Sequence, residues 1–239
     1  MEKQDSLWPS GPSFIFSDEA FLPSTDSFLL GAFPKLRRGD RICDLGAGIG
    51  LLGLLLWARE PSVHLSAVEL QERACDLCRR NYAQNGIDGA VFQADLRDRT
   101  QLPKAGSCDL VICNPPYFAP RSGAVADAER GQARSELTAS LPEICGAASW
   151  LLPTGGRFAL VYRAERLPEL MESVRSVQLE PKRLQLIQAN VAATPRILLL
   201  ECRKGGHPGL QVEPTLLLQN ADGRESQAVR AAYFREKEN

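Results

Sequence analysis

Residues 41–56 read RICDLGAGIGLLGLLL, and the order of features in this stretch decides the fold. An apolar run of strand length, Arg41 to Leu45, is followed by glycines at 46, 48, 50 and 53, and an apolar helical pattern begins among them. A strand that turns through glycines straight into a helix opens a βαβ unit. The same alternation continues downstream. VHLSAVEL (63–70), AVFQAD (90–95), CDLVICN (108–114) and RFALVY (157–162) have strand character. QERACDLCRRNYAQNG (71–86), SELTASLPEICGAASWLL (135–152) and RAERLPELMESVRSV (163–177) have helical character, the first of these closed by Gly86. Two more apolar runs, RLQLIQ (183–188) and RILLLEC (196–202), have no helix between them. They must pair antiparallel, because a parallel crossover needs a dozen or more residues. The expectation is an α/β fold: a mostly parallel, seven-stranded sheet with an antiparallel last strand and helices on both faces.

Upstream, residues 1–34 read as a loose tail to about residue 12, then a short aromatic strand or turn, then a helix near Asp26 with Ser24, Thr25 and Asp26 as N-cap candidates. Residues 35–239 form the remainder of one domain, in keeping with a length of 239 residues. Charged residues at 24% and a formal net charge of -1 exclude a general affinity for polyanions or membranes, so any nucleic-acid contact must be local. The seven cysteines are odd in number and scattered through apolar runs, the usage of reduced thiols in a cytoplasmic protein. Cys75 and Cys78 make one C-x-x-C without a second pair, so no metal site is expected. The first residues lack a basic segment followed by an apolar core, and GLLGLLLWA is too short to span a bilayer, so neither a leader nor a membrane segment is expected.

In an open sheet of this kind, ligands bind at the carboxyl ends of the strands. Four places there carry chemistry: the glycine loop, Glu69, Asp95, and the tetrapeptide Asn114-Pro115-Pro116-Tyr117. Gly48 to Gly53 satisfies G-x-G-x-x-G, and with an acid about 20 residues later this fits a nicotinamide dinucleotide. Asp44, placed before the first glycine, favours S-adenosylmethionine instead, because a carboxylate suits an ammonium far better than a pyrophosphate. Glu69 suits ribose hydroxyls of either cofactor. Asp95 suits the exocyclic amine of an adenine, or else caps a helix.

Pro115 and Pro116 end the fourth strand, force Asn114 and Pro115 extended, and supply no amide donors. The result is a fixed pair of acceptors fitted to a planar substrate bearing an NH2 group, with the Tyr117 ring, and Phe118 beside it, able to stack on the substrate. Accepting from both amine protons favours the pyramidal nitrogen of the methyl-transfer transition state, so no strong base is needed.

At these residues the chain resembles the class I methyltransferases that act on amino groups, and among them the bacterial tRNA adenine-N(6) methyltransferase group, which acts on the adenine beside the anticodon of a valine tRNA. The features shared are DLGAGIG, NPPYF, FIF followed by TDSFLLGAF, QARSEL, and the ending KGGHPGLQVEP. The resemblance implies a methyl-donor pocket of Asp44, Gly46, Gly48, Gly50, Glu69 and Asp95, with Asn114 adjoining it and Thr25 and Asp26 near the methionine end. It implies Asn114, Pro115, Pro116 and Tyr117 as the catalytic set, S-adenosylmethionine as cofactor, and tRNA as partner. One departure is visible: the turn often written G-T-D-G in such enzymes is Ser24-Thr25-Asp26-Ser27 here. Methylation of another amino group, in ribosomal RNA, DNA or a protein glutamine, is the alternative within the same chemistry. For RNA contact, Arg121, Arg130 and Arg134 in the loop after Tyr117, and the pairs Lys182-Arg183 and Arg203-Lys204, are the basic candidates.

Overall fold

The computed structural model describes residues 1–17, 24–115 and 139–234. It opens with an antiparallel hairpin, β1 (Glu2–Ser6) and β2 (Ser13–Ser17). Helix α1 (Thr25–Ala32) follows, started by Ser24, whose side chain accepts from the Ser27 amide. The alternating region then comprises β3 (Arg41–Leu45), α2 (Leu51–Arg59), β4 (His64–Glu69), α3 (Glu72–Gln84), β5 (Ala90–Gln93) and β6 (Leu110–Cys113). After it come α4 (Leu141–Leu151), β7 (Arg157–Arg163), α5 (Leu167–Ser176), β8 (Leu179–Gln188) and β9 (Ile197–Lys204). Two short strands, β10 (Gln211–Val212) and β11 (Leu216–Leu217), and a helix, α6 (Gln227–Ala232), close the described chain.

The seven long strands lie in the order β8-β9-β7-β6-β3-β4-β5. All neighbours are parallel except β9, which runs antiparallel between β7 and β8. Two features depart from the sequence expectation. Among the described residues the sheet has nine strands, because β10 and β11 add along the outer edge of β8. The supposed loose tail contains β1, an exposed run EKQDS with no apolar signal, held by pairing to β2 and by Glu2 against Arg80 of α3 at 2.7 Å. In both cases the partner supplies the order that the local pattern lacks.

The period of two along each strand sorts the core into two layers. Ile42, Ala67, Ile112 and Val161 face α1, α2, α3 and α6; Cys43, Val68, Val111 and Leu160 face α4 and α5. The chain's two ends meet on the first of these faces. Tyr233 stacks on Phe28 of α1 at 4.1 Å, and Phe234 stacks on Trp8 of the hairpin at 4.1 Å. Strand order reverses between β3 and β6, since the chain builds outward through β4 and β5 before returning, and a crevice opens over the carboxyl ends at that point.

Candidate active site

The crevice is a cavity of about 350 Å³, within the usual size of small-molecule sites. Its floor is the glycine loop. Gly46 and Ala47 donate their amides to the Val68 carbonyl at 2.9 and 3.1 Å, which ties the loop to the end of β4. Gly46 and Gly48 line the cavity with positive φ angles of 71° and 54°, and a Cβ on either would meet nothing within 4 Å. They keep the backbone open to a ligand. Gly50 and Gly53 do different work. Side chains there would run into Cys78 and Tyr82 of α3, so these two let α2 pack closely on α3, and neither lines the cavity.

Glu69 closes the loop from the side. Its Oε2 accepts from the Gly48 amide at 2.9 Å and its Oε1 from the Gln71 amide at 2.9 Å, coupling the first two crossover loops through one carboxylate. Asp95 lines the next sector. A turn rather than a helix follows it, so it is no helix cap: its Oδ1 accepts from the Arg97 amide at 2.9 Å and its Oδ2 pairs with the Arg97 guanidinium at 2.6 Å. That guanidinium lowers the Asp95 pKa and keeps the group ionised as an acceptor.

Asn114 and Pro115 line the opposite wall. The Asn114 amide donates through Nδ2 to the Ser27 hydroxyl at 3.0 Å, a contact across 87 residues of chain. Ser27, 2% exposed, is a cavity residue that the sequence reading passed over, although it is one of the two serines of the altered turn. Ser17, at the end of β2, is another: fully buried, it lines the cavity with a hydroxyl that finds no partner among the described residues. No sequence signal marked it. Pro116, Tyr117, Phe118, Arg121, Arg130 and Arg134 lie outside the described residues.

Residues 12–180 match the family described as the methyltransferase small domain. A tRNA1(Val) (adenine(37)-N6)-methyltransferase of Parabacteroides distasonis is 32% identical over 199 residues, covering 79% of this chain and 82% of the relative. The chain belongs to the methyltransferase small domain family. It is an S-adenosylmethionine-dependent methyltransferase. A Dickeya chrysanthemi protein of the same name is 30% identical over 227 residues, 91% of this chain and 88% of its own. Among solved structures, a predicted O-methyltransferase of Agrobacterium tumefaciens superposes with a TM-score of 0.73 at 20% identity, covering 87% of this chain and 95% of that one, which speaks to the fold alone.

The cofactor of this methyltransferase fits the residues present. Asp44, expected in the pocket, does not line the cavity: it lies below the glycine loop on the α2 and α3 side, 2% exposed, with only the Gly53 amide as a weak, poorly aligned donor among the described residues. Burial first, and then the charge of Glu69, push its pKa up to about 8. Glu69 and Asp95 put two carboxylates on the cavity wall, and Asp44 is a third, protonated in the free protein, beneath the loop. Such a site suits a cationic sulfonium and ammonium and repels the pyrophosphate of a dinucleotide. When bound, S-adenosylmethionine would supply an activated methyl, and the cavity-lining carboxylates of Glu69 and Asp95 would be the groups to hold its ribose and adenine.

Several expected site residues of the methyltransferase stand elsewhere. Thr25 and Asp26 sit in the first turn of α1 without lining the cavity, and the Thr25 hydroxyl accepts from Tyr233 at 3.0 Å. Thr25 thus fastens the C-terminal segment to α1. The basic pairs on β8 and β9 are also displaced from the crevice. Arg203 and Lys204 end an antiparallel strand, beside Arg157 and Leu179 at the starts of β7 and β8, so they occupy the amino end of the sheet. Lys204 is occupied there: its Nζ donates to the Ser149 and Leu152 carbonyls at 2.6 and 2.8 Å, capping the C-terminus of α4. Arg183 is clamped between Glu213 at 2.7 Å and Glu201 at 3.6 Å and stacks on Phe33 at 4.4 Å. Lys182 donates to the His207 carbonyl at 3.1 Å. These four lie away from the crevice, a placement the sequence did not reveal. Basic doublets looked alike in one dimension, but the antiparallel turn of β9 carries one pair to the far end, and the other is engaged by neighbouring side chains and carbonyls.

Proposed function

We propose that this methyltransferase transfers a methyl group from S-adenosylmethionine to the exocyclic amine of an adenine in tRNA, next to the anticodon. The observation that carries the reading is Asn114, whose amide is held by Ser27 on the wall of the cavity floored by Gly46 and Gly48 and flanked by Glu69 and Asp95. With Nδ2 bound to Ser27, Oδ1 remains as the acceptor, and Pro115 brings no N–H to compete for it. Asn114 Oδ1, together with a neighbouring backbone carbonyl, accepts the two protons of an aromatic amine. This aims the nitrogen lone pair and stabilises the pyramidal nitrogen. The new nitrogen–carbon bond forms as the carbon–sulfur bond of the sulfonium breaks, and the proton lost from nitrogen passes to solvent. Stacking by Tyr117 and cationic contact by Arg121, Arg130 and Arg134 complete the proposal. The tRNA specificity of the relatives supports adenine as the base.

The test is methyl transfer to unmodified tRNA by the purified protein, followed by mass analysis of the nucleosides. N6-methyladenosine should form only with the donor present. Asn114→Ala should lose at least about 100-fold in turnover with donor binding intact. Full turnover by that variant removes the mechanism, and a methylated guanine or glutamine in place of adenine removes the substrate.

A further inference from the structure

We infer that Ser27 is a positioning residue for the methyl transfer: its hydroxyl fixes the Asn114 amide in the one orientation that turns Oδ1, rather than Nδ2, toward the amine. The inference rests on the proposed amino-group chemistry and adds to it the group that selects between two otherwise equivalent rotamers.

An asparagine amide can turn over about its last side-chain bond at little cost, because its oxygen and nitrogen ends have nearly the same shape. Turned the wrong way, Asn114 would present NH2 to an NH2 substrate, two donors facing each other. Something must therefore bias the amide. Ser27 is 2% exposed, lines the same cavity, and lies 3.0 Å from Nδ2. A hydroxyl can either donate or accept, so its own proton must be placed elsewhere for the bias to hold. Ser24 provides that place. Its Oγ lies 3.4 Å from the Ser27 Oγ, close enough to take the Ser27 proton and leave the Ser27 lone pairs toward Asn114. Ser24 itself is fixed as the N-cap of α1, and α1 is held in turn by the Phe28–Tyr233 stack and the bond from Tyr233 to Thr25. The chain of support runs from the C-terminal segment through α1 to a single amide. A glycine at position 27 would have no hydroxyl to offer, so the altered turn acquires a function that its backbone alone does not have.

The experiment has two readouts, one of which needs neither donor nor substrate. In 15N-labelled protein, the Asn114 side-chain NH2 signals, assigned by their loss in Asn114→Asp, should exchange with solvent at least about fivefold faster in Ser27→Ala than in the wild type. In steady state, Ser27→Ala should lower kcat about 10- to 100-fold while the Kd for S-adenosylhomocysteine stays within about twofold. Ser27→Cys, which keeps the shape with a weaker acceptor, should fall between the two. Unchanged exchange and unchanged kcat overturn the inference, as does a loss of kcat matched by an equal loss of S-adenosylhomocysteine affinity, which would mean that the cavity as a whole had shifted. Should the wild type prove to methylate an amine other than adenine, the substrate reading fails while the Ser27 comparison is made on that amine instead.

Discussion

Asp44 is where the structure makes its most quantitative statement. A carboxyl buried with only a weak donor and pushed up to about 8 is neutral in the free protein at pH 7, whereas in the unfolded chain it ionises near its ordinary value of 3.8. Between those two values the native state holds one proton more than the unfolded state. Unfolding is therefore favoured as pH rises, by about 1.4 kcal/mol per pH unit. Integrated from pH 5 to pH 8, this one group costs several kcal/mol of stability. Asp44→Asn removes the titration and keeps the shape. The difference in unfolding free energy between variant and wild type, from urea titrations of the ligand-free protein, should grow by that amount over the interval, the variant becoming the more stable as pH increases. Other titrating groups cancel in the difference. The same variant should bind S-adenosylmethionine more than about tenfold more weakly at pH 8, because its amide puts no charge against the ligand's cations. At pH 7 the wild type should release protons on binding the donor, read as the buffer dependence of the binding enthalpy, whereas Asp44→Asn should release fewer. A stability difference that is flat in pH would refute the reasoning, since it would mean that Asp44 is solvated or paired and carries no stored cost.

Glu69→Ala frees the Gly48 amide and removes the ribose acceptor, so the S-adenosylhomocysteine Kd should rise at least about tenfold by calorimetry; a change under twofold counts against the assignment. A methyl at Gly53 overlaps the buried Tyr82 hydroxyl, so Gly53→Ala should cost about 1–3 kcal/mol in chemical denaturation and much of that should vanish in a Tyr82→Phe background, whereas additive costs would show that the two do not touch. Arg183→Ala leaves Glu201 and Glu213 facing each other and should destabilise by about 3 kcal/mol with the salt dependence of tRNA binding unchanged; a slope reduced by about one would return Arg183 to the RNA-binding set.

What could be read in advance follows from range. The seven long strands, the α2 and α3 helices and the antiparallel pairing of β8 with β9 carry their signal in local periodicity, and glycines and prolines punctuate them. The carboxyl-end rule then brings Gly46, Gly48, Glu69, Asp95, Asn114 and Pro115 to one cavity without further information. What escaped depends on long-range partners. Strand β1 is exposed and polar, and its order comes from β2 and Arg80. Ser17 and Ser27 are ordinary serines until folding buries them at the cavity. Gly50 matched a ligand-binding pattern but serves helix packing, a distinction visible only in which side chain it would strike. Lys204 and Arg183 were read by charge alone, and charge does not reveal whether a helix terminus or a pair of glutamates has already taken it.

The electrostatics of the cavity bear on how a polyanionic substrate could be used by a chain of net charge -1. Glu69 and Asp95 line the cavity and Asp44 lies buried beneath its floor, so the site favours a cationic donor over phosphate. Arg97 pairs with Asp95, Arg163 with Glu165 and Arg166 with Glu169, while Arg73 lines the cavity itself. A base presented away from its backbone is therefore the form in which an exposed amine of a nucleic acid can meet Asn114. Under the proposed function, recognition and chemistry are then separated in space: the acidic cavity selects the donor and a neutral base, and phosphate contacts have to be made outside it. On that same proposal, Arg121, Arg130 and Arg134, in the segment that follows Asn114-Pro115-Pro116-Tyr117 in sequence, would make those contacts, so that a backbone gripped there would bring its base to Asn114 without passing through the negative field.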